Sequence, residues 1–157
     1  MSKSLKRVRA ALEDVGIMPD IQEMPGETRT AAQAAEAAGC HLDQIAKSII
    51  FRGETSGTAI LFLTAGSNQV DAAKASDVAG EALGKADANL IRAQTGFAIG
   101  GVAPVGHLNP IRAFLDARLM EFDVVWAAAG TPRHIFPIGP AVLQSLTGAV
   151  VAEFLTD

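Results

Sequence analysis

Lys47-Ser-Ile-Ile-Phe-Arg52, Gly53-Glu-Thr-Ser-Gly57 and Thr58-Ala-Ile-Leu-Phe-Leu-Thr64 decide the fold. The first and third pieces are rich in β-branched and apolar residues, and the glycine-bounded piece between them supplies a turn. Thr58–Thr64 is apolar on both parities, which predicts a central strand covered on both faces. Lys47 opens the first strand, and a short helical turn over Leu42–Ala46 leads into it. Upstream, Ser4–Val15 places Leu5, Val8, Ala11, Leu12 and Val15 at helical spacing, and Gly16 ends that helix. Asp20–Met24 reads as a short strand. Thr30-Ala-Ala-Gln33 is a capping-box arrangement that opens an alanine-rich helix ending at Gly39.

Downstream, Val70–Val78 and Asp87–Thr95 read as helices, the second with Asp87 as N-cap and Gly96 as its C-terminal glycine. Ile111–Leu115, Asp123–Ala128 and Arg133–Ile138 read as strands, with a turn at Gly130–Pro132. Pro140–Leu146 reads as a helix with proline at its first position. Val150–Leu155 fits either a last strand or a helix. Repeats, low-complexity linkers and composition breaks are absent from the 157 residues, so the expected unit is one domain over 1–157. The fold class is α/β: a mixed, mostly antiparallel, barrel-like sheet surrounded by helices.

Composition narrows the function. Hydrophobic residues make up 49% and charged residues 19%, enough apolar material for a core. Apolar runs such as Ala59–Ala65 fall far short of the ~20 residues a membrane span needs, and no apolar stretch follows the basic N-terminus as a secretory signal requires. No membrane partner and a cytoplasmic location are expected. The single cysteine, Cys40, forms no internal disulfide and no multi-thiolate metal site. Net charge is −4 and aromatic residues make up 5%. Bulk-charge gripping of nucleic acid and base-stacking platforms are therefore disfavoured, and DNA is not an expected partner.

Two features carry chemistry. Gly96-Phe-Ala-Ile-Gly100-Gly101-Val-Ala-Pro104-Val-Gly106-His107 holds four glycines and a proline in twelve residues. It fits a tight turn requiring positive φ, the alternative being a loop that aims main-chain N–H groups at a ligand oxygen. The spacing matches neither a Walker loop nor a dinucleotide fingerprint. Lys47 fits a charge at the end of a helical turn or a snorkelling residue at a sheet edge, the alternative being an ammonium at a pocket mouth that stabilises a developing oxyanion. His41, beside Cys40, reads as a surface residue. His107 and His134 lack neighbouring cysteine or glutamate partners, so no metal and no cofactor are expected.

Thr30–Gly39 followed by Gln44-Ile-Ala-Lys47-Ser-Ile-Ile-Phe51 resembles the helix–lysine–strand segment of the YbaK/prolyl-tRNA-synthetase-associated editing domain family. Gly96-Phe-Ala-Ile-Gly100-Gly101-Val-Ala-Pro104-Val-Gly106 resembles that family's signature loop, glycine followed four residues later by proline. Val124-Val-Trp126 through Gly130-Thr-Pro-Arg-His134-Ile-Phe136 resembles its closing strand–turn–strand. The matches span roughly residues 20–155, and the chain is similar to the free-standing members.

The resemblance implies a trans-editing aminoacyl-tRNA deacylase that hydrolyses the ester of a mischarged tRNA carrying a small amino acid, with tRNA-Pro as a candidate. It implies catalytic roles for Lys47, Gly100 and Gly101, and substrate-binding roles for Thr30, Ala103, Pro104 and His134. Ala103 stands where some members have serine, and Ala127, Ala128 and Ala129 stand where others have polar residues. The implied partners are the acceptor end of aminoacyl-tRNA and an aminoacyl-tRNA synthetase, on a monomer or weak homodimer. The rivals are a non-catalytic tRNA-end or small-molecule binding module of the same fold, and a partner-binding protein whose glycine loop is only a turn. Gly106, beyond the proline, is expected to matter less to turnover than Gly101.

Overall fold

Ala59–Ala65 forms strand β3 at the centre of the molecule, every residue buried, in the computed structural model, which describes residues 2–157. Strand β2 (Ala46–Gly53) runs antiparallel beside it, with Lys47 opposite Thr64 and Phe51 opposite Ile60. On the other side, β5 (Arg112–Leu115) runs parallel to β3, and β8 (Val150–Val151) parallel to β5. Strand β4 (Leu83–Lys85) extends the far end of β2. The order is β4-β2-β3-β5-β8. A second, antiparallel sheet has β7 (His134–Ile138) between β1 (Gln22–Glu23) and β6 (Val125–Ala128).

Among the described residues the two sheets meet at a parallel bridge between Ile45 and Trp126. They remain two open sheets joined there, mixed and mostly antiparallel as expected, rather than one closed barrel. Because side chains alternate along a strand, β3 feeds two cores. Leu61 and Leu63 join Phe97, Leu115, Phe136 and Leu5, Val8 and Leu12 of helix α1 (Lys3–Asp14). Ile60 and Phe62 join Phe114 and Phe154 with helix α3 (Ala72–Ala79). Phe62 packs at ring-centroid distances of 5.3 Å from Phe114 and 5.0 Å from Phe154. Each such side chain, fully buried, contributes roughly 1.5–3 kcal/mol of transfer free energy.

Local signals place the helices well. In α2 (Ala31–Ala38), Thr30 accepts from the Gln33 N–H while the Gln33 side chain accepts from the Thr30 N–H, and Gly39 closes the helix at φ +70°. In α4 (Ala88–Thr95), Asp87 caps Leu90 and Gly96 closes at φ +80°. Helix α5 (Pro140–Thr147) starts on its proline. The structure adds two elements with no sequence counterpart above, β4 and a 3₁₀ turn over Ala117–Glu121. At the C-terminus only Val150–Val151 forms a strand, followed by an isolated bridge from Leu155 to Val70. Among the described residues no helix is long and apolar enough to cross a membrane.

Candidate active site

Beyond the Ile45–Trp126 bridge the two sheets part, and the gap between β2 and β6 is a cavity of about 500 Å³. Its apolar wall is Ala31 and Ala34 of α2, Ile45, Ile50, Trp126, Ala127 and Ala128. Thr28, Arg29 and Thr30 also border it, as do Ile99, Gly100 and Val102 of the glycine loop. A concave, mostly apolar site with few polar groups is what small ligands occupy. Among the described residues, its lining holds no carboxylate and no imidazole.

Lys47 lines this cavity. Its Nζ donates to the main-chain oxygen of Asn68 at 2.6 Å. Burial pushes its pKa below the ordinary lysine value, while the nearby carboxylates of Asp116 and Asp43 push it back up. Those carboxylates also build the segment that carries Asn68. Asp116, 1% exposed, accepts from the Ala65 N–H at 3.0 Å, Asn68 Nδ2 at 2.9 Å and the Arg118 N–H at 2.9 Å. Asp43 accepts from the Ser67 N–H and hydroxyl and from Arg118 Nε at 3.2 Å. Burial raises the Asp43 pKa, but these hydrogen bonds outweigh it and hold the carboxyl below its usual range. Gly66 makes the close approach possible: a Cβ there would lie 2.1 Å from the Leu42 carbonyl oxygen.

This support was invisible to sequence reasoning. The available signal was an aspartate placed directly after the buried strand Ala113–Leu115, where an acid needs partners to be tolerated. Ser48, next to Lys47, also lines the cavity, and its buried hydroxyl has no hydrogen-bond partner among the described residues.

Of the residues singled out from the sequence, the structure brings Lys47, Gly100 and Thr30 to one cavity. Gly100 is at φ +92°, and Arg29 lies over it, 3.1 Å from where a Cβ would sit. Gly101 faces away: its N–H donates to Ala98 O at 3.1 Å, and a Cβ would lie 2.9 Å from the Thr131 carbonyl carbon. His134 lies behind that same turn, its Nδ1 hydrogen-bonded to the Thr131 hydroxyl at 2.6 Å. Gly101 and His134 are thus linked through Thr131 and lie outside the cavity lining. Ala103 is buried and its carbonyl accepts from His107 Nε2 at 2.7 Å, while Pro104 borders a second cleft of about 440 Å³ behind the loop. His41 is exposed and caps the 3₁₀ turn Leu42–Gln44. Among the described residues, no cluster of histidine, cysteine and acidic side chains could hold a metal ion.

The fold and site define an α/β pocket domain in which one ammonium and one glycine loop flank an apolar cleft between parted sheets. The model of the aminoacyl-tRNA editing domain matches residues 25–146, and the chain belongs to that family. A Bacillus subtilis (strain 168) relative, "Uncharacterized protein YwhH", is 33% identical over 144 residues, 92% of this chain and 91% of that protein. A crystal structure described as "a putative trans-editing enzyme for prolyl tRNA synthetase" superposes with a TM-score of 0.92 at 46% identity, covering 100% of this chain and 99% of that one. The structure of hypothetical protein APE2540 matches at 0.86 and 27% identity, covering 96% of this chain and 99% of that chain.

Proposed function

We propose that the protein hydrolyses, in trans, the ester of a tRNA mischarged with a small amino acid, tRNA-Pro being the first candidate. The observation that carries this reading is Lys47, its ammonium held on Asn68 O, on the lining of an apolar cavity together with Gly100. An aminoacyl ester is already activated, so orientation and oxyanion stabilisation do most of the work. The acyl group lies against Ala31, Ala34, Ala127 and Ala128, and Lys47 stabilises the oxyanion that forms when water attacks the carbonyl. The acyl C–O bond then breaks, the amino acid leaves, and the proton lost by water goes to the ribose oxygen. The lining holds no carboxylate or imidazole, and its hydroxyls outside the buried Ser48 are those of Thr28 and Thr30. This fits water oriented by hydroxyl groups, those of the ribose included.

Recognition rests on the acceptor end of the tRNA, with Arg29 at the rim to meet a phosphate, and a synthetase supplies further tRNA affinity. The protein acts as a monomer or weak homodimer, without metal or cofactor. A panel of tRNAs, each misacylated with one small amino acid, tests the reading. Release faster than spontaneous hydrolysis for at least one member supports it. Binding without release instead identifies a non-catalytic module.

A further inference from the structure

We propose that Arg7, on helix α1 and outside the segment that the family model matches, is a positioning residue that clamps the two ends of the Gly96–Gly106 loop. The proposal rests on the reading of the adjoining cavity as the editing site. Arg7 Nη2 donates to Gly96 O at 2.6 Å and Nε donates to Gly106 O at 3.2 Å. One planar guanidinium therefore bridges both ends of the loop, a geometry that a lysine ammonium does not reproduce. Its Cζ lies 5.0 Å from the centroid of the fully buried Phe97 ring, the loop's apolar anchor. No carboxylate lies within ion-pairing distance of Arg7 among the described residues.

The glycines are fitted to this clamp. Gly96 and Gly106 both lie at φ +80°. A Cβ on Gly96 would lie 2.4 Å from Arg7 Nη2, and one on Gly106 would lie 3.0 Å from the Arg7 main chain. Between the clamped ends Phe97, Ala103 and Val105 are buried in the core, and the Ala98–Gly100 stretch that stands away from it has little of its own to hold it. Ala98 and Ile99 are exposed, and the loop's internal hydrogen bonds are Gly101 N–H to Ala98 O and the His107 bond to Ala103 O. Gly100 and Val102 reach the cavity from this stretch. A loop so held keeps its geometry toward a bound ester, where a misplacement of about 1 Å costs on the order of 10²-fold in rate.

The test compares Arg7→Met and Arg7→Lys with the wild type by hydrogen exchange of the amides of residues 98–103 and by steady-state deacylation. The expected result for Arg7→Met is exchange at least ~10-fold faster in the loop, and kcat lowered ~10–100-fold with KM little changed. Arg7→Lys, which keeps the charge and packing but not the bridge, falls between; it carries both readouts alone if Arg7→Met does not fold. Unchanged loop exchange in a folded variant overturns the clamp. Faster exchange with unchanged kcat overturns its role in the reaction. The exchange arm needs no substrate, so inactivity of the wild type would refute the editing reading and leave the clamp decided on its own.

Discussion

Lys47 Nζ lies 2.6 Å from the main-chain oxygen of Asn68, and Asn68 is itself tied by its side chain to Asp116 at 2.9 Å. The ammonium is thus aimed by a carbonyl whose own position depends on a buried acid. A surface lysine has no such arrangement, and a charge used only at a helix end needs none. The proposed chemistry predicts that Lys47→Ala lowers deacylation at least ~10²-fold, as loss of one placed oxyanion donor does. The thermal midpoint should stay close to that of the wild type. Near wild-type turnover would return Lys47 to a structural role.

Asp116 is expected to act on both stability and pH dependence. Asp116→Ala strands the Ala65 and Arg118 N–H groups and Asn68 Nδ2, and should cost about 3 kcal/mol in denaturant unfolding. Asp116→Asn removes the charge that raises the Lys47 pKa. If the ammonium is the active form, activity after subtraction of uncatalysed hydrolysis falls as pH rises through the Lys47 pKa, which lies below 10.5. Asp116→Asn should shift that alkaline limb to lower pH. An unmoved limb contradicts the coupling.

Glycine substitutions separate packing from turnover. Gly66→Ala drives a Cβ onto the Leu42 carbonyl and should destabilise the protein by ~1–3 kcal/mol while displacing Asn68. Gly101→Ala meets the Thr131 main chain and should shift the loop together with the turn. Gly106, expected to matter less to turnover than Gly101, lies at φ +80° against the Arg7 main chain. Gly106→Ala should therefore lower the melting temperature, a comparison that circular dichroism on the three variants makes directly.

His107 supplies a stability switch in mild acid. Burial holds its pKa below 6.5, its hydrogen bond to Ala103 O works in the opposite direction, and Arg7 lowers it further. The unfolded chain therefore takes up the proton first. The stabilisation is fully present above pH 6.5 and is lost as pH falls through the folded-state value. Melting temperature should drop between pH 7 and 5, and His107→Gln should reduce that slope. Parallel slopes for the two proteins would contradict the burial of a neutral imidazole.

The parts of the fold written in local chemistry were legible. The Thr30–Gln33 capping box, the Asp87 cap and the closing Gly39 and Gly96 each satisfy helix ends from residues close by in sequence. Strand β4 was not legible, because Leu83-Gly-Lys85 has no strand pattern and pairs only where β2 offers an edge. Lys47, Gly100 and Thr30 were found as candidates, but Asp43, Ser67, Asn68 and Asp116 were not. Buried hydrogen-bonded acids look in sequence like any surface acid. For the same reason, the Arg7 clamp on two loop carbonyls resembles an ordinary basic residue on an amphipathic helix.

The most direct measurement of the central claim is single-turnover release of the amino acid from tRNA-Pro misacylated with a small residue, by wild type and Lys47→Ala side by side. Several small amino acids are tried in turn, and spontaneous hydrolysis is subtracted. The account predicts rapid release by the wild type for at least one of them and release at least ~10²-fold slower by folded Lys47→Ala. Equal rates for the two proteins, or no release above background with any mischarged tRNA, would contradict it.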